Sequence, residues 1–600
     1  MKSKTSLLLA IAAISTPIFA GPNCPPLGPV FPKPTNLASS PAVRAALDNL
    51  TTIFTDRDND NSASVLANST SWSIEIFSTN PDTPTLWQWH HTAPELAAAT
   101  GNNSFGVKKV DGNTVYRLGS LTKVFAVYTW LAQDGMDKWN DPITKYVPEL
   151  KEAAERARAA KDPVKNVPWD EVTIGSLAGQ MSGAIRDYGL MGEMTQQYGQ
   201  DVAVSLGFPP LNGSDPTLPP CGAWPLCNRT EFFNGLLQAY PSYAPFTSPA
   251  YTNTGYQILS YALESIKGKS FESMMQDSIL RPLGLNNTYY VSAPAEVGAI
   301  PGNRSESGWD WQLGDENPAG NMFSSTSDLS KLGRSILSST ILPASLTNAW
   351  LKPMAFTSEL YAGLSTPWGV RRIPHPSYDP TVAKRVVDAF NKAGRIGYYS
   401  SLLVLLPDYD LGFSIAIAGA NIPGNTNFNL ADILGRHLLP AFETAARVQA
   451  ADKYAGLYVA SSDGTGTNSS LRLTTQPDRP GLGIESWISN GTDMQLVSVA
   501  LAAGYTPIQG SIRLYPTGLE TIRADGSKEM AFKAVYEDIG LSARPYADNM
   551  FSTDCGTWVS FTGVTYGTFA LDQFVFEVDG SSGKVKGLES LALRVFMGKK

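Results

Sequence analysis

Ser120-Leu121-Thr122-Lys123 sets a hydroxyl and an amine three residues apart. On a helix that spacing stacks the two side chains on one face, one turn apart. A serine hydroxyl attacks a carbonyl only when a neighbour takes its proton. A lysine amine drawn out of water has its pKa lowered and can accept that proton. A helix N-terminus at Ser120 also favours negative charge there. Ser-x-x-Lys by itself equally describes a capping serine with a lysine behind it. A second copy, Ser581-Ser582-Gly583-Lys584, lies in a Gly-rich turn where nothing aligns the two side chains.

Two further groups give the first copy partners. Tyr251-Thr252-Asn253 follows the loop Phe246-Thr247-Ser248-Pro249-Ala250 and opens a helix. The Tyr251 phenol can share or relay a proton, and the Asn253 amide can bind both Lys123 and a substrate amide. Lys392-Ala393-Gly394 leads into a strand from Arg395. Lys392 would supply positive charge, and Gly394 would let a substrate lie close against the strand edge. Taken singly, these are also a capping asparagine beside a packing tyrosine and a solvated charge before a strand. A Ser-His-Asp arrangement fits poorly: the histidines are His90, His91, His375 and His437, and there is no Gly-x-Ser-x-Gly elbow. No zinc-ligand spacing occurs, and no cofactor or metal is called for.

These residues need an element each to hold them. Leu121, Val124, Phe125, Tyr128 and Leu131 have helical spacing, which predicts a helix over 120–133. Between about 135 and 390 the pattern is mostly helical: 147–160, 174–181, 253–267, 271–279 and 327–337, the last started by Ser327 and Asp328. Strands come before and after. Residues 73–77 and 86–90 form one hairpin, and 402–406 and 413–418 form another around Pro407-Asp408-Tyr409-Asp410; 430–448 returns to helix. The fold class is α/β: an antiparallel sheet flanked by helices, its first and last strands brought together around an inserted, mostly helical region. From about 450 the text becomes short strand-like runs (471–473, 511–514, 530–536, 558–562 and 574–578), a separate all-β domain.

The order Ser-x-x-Lys, Tyr-x-Asn, Lys-x-Gly resembles the serine beta-lactamase and penicillin-binding-protein superfamily, in the branch with class C beta-lactamases, secreted carboxylesterases and D-aminopeptidases. Residues 141–150, 172–183, 279–285 and 319–329 are similar to that family's intervening segments, so the likeness spans about 65–445. It implies that Ser120 is acylated, Lys123 is the base and Tyr251 the second proton-transfer group. It further implies that Asn253, Lys392, Gly394 and Arg395 bind substrate, with the backbone N–H groups of Ser120 and Arg395 as the oxyanion hole. Departures are Ala393 where lactamases carry a hydroxyl residue, Gln180 where His-x-Ser-Gly is usual, and the bulky Tyr398-Tyr399. Ala393 favours esters or amides over lactams and D-Ala-D-Ala. The alternatives are an acyltransferase or beta-lactamase using the same acyl-enzyme, or a binding protein that keeps the fold without the chemistry. Tyr454-Ala455-Gly456-Leu457-Tyr458 resembles the start of a lipocalin-like domain.

The 600 residues are too many for one core. Residues 1–20 read as an export signal, with Lys2 and Lys4 ahead of an apolar run and Ile18-Phe19-Ala20 as the cleavage text. Residues 21–60 read as a Pro-rich extended arm, 61–449 as the catalytic domain and 450–600 as the C-terminal β domain. A net charge of −8 without a basic block argues against nucleic acid, and no stretch is long enough for a membrane span. The expected partner is a small acyl substrate: an ester, amide or lactam. In an oxidising compartment the four cysteines predict two disulfides, Cys221 with Cys227 and Cys24 with Cys555. Glycosylation sequons at Asn49, Asn68, Asn102, Asn212, Asn228, Asn286, Asn303, Asn468 and Asn490 fit a secreted, extracellular chain.

Overall fold

The computed structural model describes residues 25–59, 68–99, 105–189, 192–222, 225–374, 385–461, 468–477, 479–503, 509–540 and 556–600. The expectations for the export signal, Cys24, Cys555, Asn102 and His375 lie outside these residues. The described residues divide into two compact units, one within 47–372 and 388–435, the other within 25–46, 373–374, 385–387 and 436–600.

The first unit is built on an eight-stranded sheet. Its strands are β1 (Thr70–Ser78), β2 (Thr85–His91), β3 (Ala355–Phe356), β4 (Ala362–Leu364), β5 (Gly369–Pro374), β6 (Val386–Ile396), β7 (Tyr399–Leu406) and β8 (Leu411–Gly419), in the order β2-β1-β8-β7-β6-β5-β4-β3. β1 pairs antiparallel with β8 from Thr70–Gly419 to Ser78–Leu411, so the first and last hairpins do meet. The helical section sits between them in sequence, as the α/β reading requires.

Residues 41–59, expected in an extended arm, form helix α1 (Pro41–Asn59). Val43, Ala46, Leu50 and Phe54 are buried, and their three- and four-residue steps make one apolar stripe. The Phe54 ring lies 5.6 Å from Trp87 and 6.2 Å from Trp89 of β2. Both indoles donate back to α1, Trp87 Nε1 to Thr51 Oγ1 at 3.0 Å and Trp89 Nε1 to Asp58 Oδ2 at 2.9 Å. On the other face of β1, Phe77 packs with Leu329 and Leu332 of helix α4 (Thr326–Leu337). β1 is therefore buried along its whole length. Ser325 caps α4, its hydroxyl accepting from Asp328 N at 3.2 Å, two residues before the expected start.

Helix α2 (Thr122–Asp134) is buried all round from Thr122 to Leu131, as befits a central helix rather than an amphipathic one. Helix α3 (Thr254–Lys267) is buried over its first ten residues.

The second unit holds an eight-stranded barrel. The strands β9 (Gly456–Ala460), β10 (Ser470–Gln476), β11 (Arg479–Ser489), β12 (Gly510–Ile522), β13 (Lys528–Asp538), β14 (Gln573–Val578), β15 (Val585–Ser590) and β16 (Val595–Lys599) each pair with the next, and β16 closes on β9. This is the up-and-down order of lipocalin-type barrels. Tyr454, Tyr458, Trp487, Phe532, Phe574 and Phe576 fill it, Tyr454 coming from the end of helix α5 (Thr426–Tyr454). The all-β reading missed a helix at Met494–Ala503. The run 558–562, expected as a strand, is a helical turn at Thr557–Ser560. Trp558 and Val559 both face solvent there, so the apolar text has no strand alternation behind it.

Phe54→Ala removes a fully buried ring between α1 and β2 and should lower unfolding stability by about 3–5 kcal/mol. The measurement is the urea midpoint followed by the fluorescence of the neighbouring tryptophans.

Candidate active site

Gly119 places the serine. Its φ of 54° is one that glycine adopts freely, and it turns the chain from Leu118 into a short 3-10 turn, Gly119–Leu121, ahead of α2. A side chain at Gly119 would meet Arg395 N at 2.5 Å, and one at Gly394 would meet Ser120 N at 2.7 Å. Two glycines thus let the turn lie directly on the edge of β6, with Gly119 against Arg395 and Gly394 against Ser120. Ser401 on β7 fixes the turn from beneath, donating to Leu118 O at 2.7 Å.

Lys123 sits one turn into α2, fully buried, with its Nζ 3.3 Å from Ser120 Oγ. It donates to Asn253 Oδ1 at 2.5 Å and to Ala319 O at 2.6 Å. A neutral amine has two N–H groups and one lone pair. With both N–H groups given to these acceptors, the lone pair is left for the Ser120 hydroxyl. Burial pushes the Lys123 amine down to about 7, against the pull of Glu316 and Asp187 upward.

Tyr251 is half-buried, with its ring centroid 4.9 Å from Lys123 Nζ, 5.4 Å from Lys392 Nζ and 4.9 Å from the Arg186 guanidinium. The Lys392 amine is within hydrogen-bonding reach of the phenol. Lys392 also donates to Ala393 O at 2.7 Å, and burial lowers its pKa. Arg395 is exposed and donates from Nη2 to Ile422 O at 2.9 Å. All the site residues named from the sequence, Ser120, Lys123, Tyr251, Asn253, Lys392, Gly394 and Arg395, are therefore gathered where the head of α2 meets β6. Asn253 is buried just before α3, and its Nδ2 donates to Asp187 Oδ1 at 2.7 Å.

Four supporting residues were not singled out in the sequence for this role. Gln180, left-handed at φ 63°, accepts from Thr252 N through Oε1 at 2.5 Å and from Ala250 N through its own carbonyl at 2.9 Å. It clamps both sides of Tyr251, so the departure from His-x-Ser-Gly leaves a working bracket. Arg117 donates to the carbonyls of Gly308 and Trp311 and to Asn321 Oδ1 at 2.8 Å, pinning the loop that carries Ala319. Asp187 and Glu316 lie behind Asn253; nothing in their local sequence signals burial. Tyr399, which could have narrowed the pocket, instead packs in the core beside Tyr116, Trp309 and Phe323. Cys221 and Cys227 are bonded as expected. Among the described residues no His, Cys, Asp and Glu group could hold a metal ion, and no helix is long and apolar enough to cross a membrane.

The beta-lactamase family profile matches residues 89–427. The chain belongs to the beta-lactamase family. Within this serine beta-lactamase and penicillin-binding-protein superfamily, residues 446–600 also match a profile described as the C-terminal domain of beta-lactamase-like proteins. A beta-lactamase-like protein of Arthroderma benhamiae is 30% identical over 98% of this chain and 98% of its own. A "probable hydrolase" of Cochliobolus lunatus is 26% identical over 86% of this chain and 82% of its own. A D-alanyl-D-alanine carboxypeptidase/endopeptidase of Escherichia coli is 27% identical over 32% of this chain and 43% of its own. Among solved structures, a D-stereospecific amidohydrolase from Streptomyces aligns with 64% of this chain and 98% of its own, at 16% identity and a TM-score of 0.44.

Gly394→Ala drives a methyl against the Ser120 amide and should lower the urea midpoint by the equivalent of about 1–3 kcal/mol. Gly213→Ala, where an added methyl meets nothing within 4 Å, should leave the midpoint unchanged.

Proposed function

We propose that this family member is a secreted serine hydrolase that works through an acyl-enzyme on Ser120, acting on small esters or amides in preference to β-lactams. The observation that most supports this is the buried Lys123 amine, 3.3 Å from Ser120 Oγ with both its N–H groups already engaged.

The reaction follows from that arrangement. Ser120 Oγ attacks the acyl carbon while its proton passes to Lys123 Nζ. The oxyanion that forms is held by the N–H groups of Ser120 and Arg395; the close backbone approach at Gly119 and Gly394 supports this. As the C–O or C–N bond breaks, the leaving group takes a proton relayed through Tyr251, whose ring both lysines face. Water then attacks the acyl-enzyme, gives its proton to the same base, and releases the acid and free Ser120. Lys392 steadies the anionic intermediates. Asn253 acts first as the orienter of Lys123, and a substrate amide can reach it only through the amide capacity left over from Lys123 and Asp187.

The preference for esters and amides rests on Ala393. It places a methyl where a hydroxyl would be needed to grip a substrate carboxylate. Secretion is supported by the Cys221–Cys227 disulfide, which needs an oxidising compartment. Glycosylation is supported by the exposure of Asn49, Asn68, Asn212, Asn228, Asn286, Asn468 and Asn490, with Asn303 half-buried. Domain limits at 61–449 and 450–600 complete the reading.

The wild type should be labelled at Ser120 by a fluorophosphonate and should turn over short acyl esters. Ser120→Ala should do neither. Efficient penicillin turnover without esterase activity would reverse the substrate preference. Because the base works without its proton, kcat/KM should fall about tenfold per pH unit below about 7 and level off above it. A profile flat down to pH 5 would remove Lys123 as the base.

A further inference from the structure

Two buried carboxyl groups stand behind the active site, and the hydrolytic scheme uses neither. Asp187 has a side chain only 7% exposed, and Glu316 is 4% exposed as a whole. Asp187 Oδ1 accepts from Asn253 Nδ2 at 2.7 Å. Its other oxygen, Oδ2, and Glu316 Oε1 receive no hydrogen bond from an N–H or O–H of the described residues. The Arg186 Nε lies 3.2 Å from Asp187 Oδ2 as an ion pair, but its side chain is 64% exposed. The two carboxyl groups are within hydrogen-bonding reach of each other.

Buried polar oxygens are seldom left without a donor. Two ionised carboxylates in contact would supply none and would repel each other. One proton placed between the two groups supplies a missing donor and removes the repulsion. We propose that Glu316 is a positioning residue that holds a proton toward Asp187, and that this one-proton pair locks the Asn253 amide with its oxygen facing Lys123. The inference rests on the hydrolase reading for its consequence, though not for its geometry.

Burial, with the adjacent Asp187 charge second, raises Glu316 well above the ordinary carboxylate range, which puts the proton on Glu316. A small cavity of about 20 Å³ beside Glu316 is lined by Tyr188, Leu226, Phe232 and Leu313, by Gly222 and Cys227, and by the polar Gln257 and Asp315. The chain of contacts then runs from Glu316 to Asp187, to Asn253 Nδ2, and from Asn253 Oδ1 to Lys123. An asparagine flipped end for end would put N–H groups against Lys123 and its oxygen against Asp187, losing both bonds. Asp187 therefore fixes the amide, and the proton on Glu316 lets Asp187 stay buried beside it.

The charge count matters to the base. Lys123 is faced by the Asp187–Glu316 pair, by Arg186 and Lys392, and by the phenols of Tyr251 and Tyr256. A second negative charge on Glu316 would favour the protonated amine and take the base out of use near neutrality. A neutral Glu316 leaves one negative charge against the two outer cations.

The test reads the carboxyl group directly. Infrared spectra of the wild type at pH 7 should contain the carbonyl stretch of a protonated carboxyl, lost in Glu316→Gln and kept in Ser120→Ala. The acid limb of the ester kcat/KM profile in Glu316→Gln should superimpose on the wild type, because one neutral side chain replaces another. Asp187→Asn should move that limb to lower pH, since it removes a negative charge that favours protonated Lys123. It should also lower kcat by about tenfold or more with KM within about threefold. Absence of the protonated band in the wild type would overturn the proposal. So would a downward shift of the acid limb by about one unit in Glu316→Gln, which would mean an ionised Glu316. If the band is present and no ester is turned over, the pair stands and the hydrolase reading fails.

Discussion

The amine of Lys123 is held where a charge is costly and an unpaired N–H nearly as costly. Moving an ammonium group out of water carries a penalty of several kcal/mol unless a counter-charge meets it. Among the described residues no carboxylate touches Lys123; it meets an amide oxygen, a main-chain carbonyl and a hydroxyl. Such a shell suits a neutral amine with two donors and one lone pair, and it is supplied by three distant parts of the chain. Asn253 comes from the head of α3, Ala319 from the loop before α4, and Ser120 from the turn that starts α2. Holding these three together is the common purpose of Gln180 around Tyr251, of Arg117 on the loop of Ala319, and of Gly119 and Gly394 at the edge of β6.

Parts of this could be read from the sequence because they are local. A serine and a lysine three residues apart on a helix share a face whatever the rest of the chain does, and the apolar steps from Leu121 to Leu131 announce that helix. The hairpin around Pro407 announces itself in the same way. Residues that act through long-range contacts were less visible. Asp187 and Glu316 are 129 positions apart, and neither has a local pattern that separates a buried acid from a solvated one. Gln180 was noticed for the histidine it lacks, while its use as a backbone clamp depends on a fold that returns Thr252 to it. The stripe of α1 lay just past a Pro-rich segment whose composition spoke for an extended arm. At Trp558 the error had the opposite cause: an apolar run reads as a strand unless one knows that no surface covers it.

The C-terminal barrel shows how much a sheet gains from closing. Each strand pairs with its neighbour in sequence, and β16 returns to β9, so no long edge is left to recruit another chain. Its aromatic core is its own: Tyr454 lies 5.7 Å from Phe532 and 5.1 Å from Phe576, and Trp487 lies 5.3 Å from Phe574. A strongly polar interior feature, Arg513 with Glu537, is answered in kind. Arg513 donates to the carbonyls of Pro480 and Gly481 and to Gln476 Oε1, while Glu537 meets Arg479 and Tyr515. A charge pair so fully bonded is explained as a strut across β11, β12 and β13, and calls for no ligand.

That contrast bears on how the active site should be read. In the barrel the buried Arg513 and Glu537 are bonded by strands that sequence places side by side. In the first unit, several positions that break the usual local rules lie in one connected neighbourhood. Gly119 and Gln180 have positive φ, Lys123 is a buried amine without a carboxylate contact, and Asp187 and Glu316 leave carboxyl oxygens without donors. Departures of this kind cost of order 1–3 kcal/mol each and persist only where the surroundings impose them. Here the surroundings are the fully buried span of α2 and the doubly covered β1, which have packing to spare. Scattered across a structure, such departures would read as noise in the sequence. Linked from Glu316 through Asp187 and Asn253 to Lys123 and Ser120, they have one physical explanation: the rigid core is used to hold a desolvated amine against a hydroxyl.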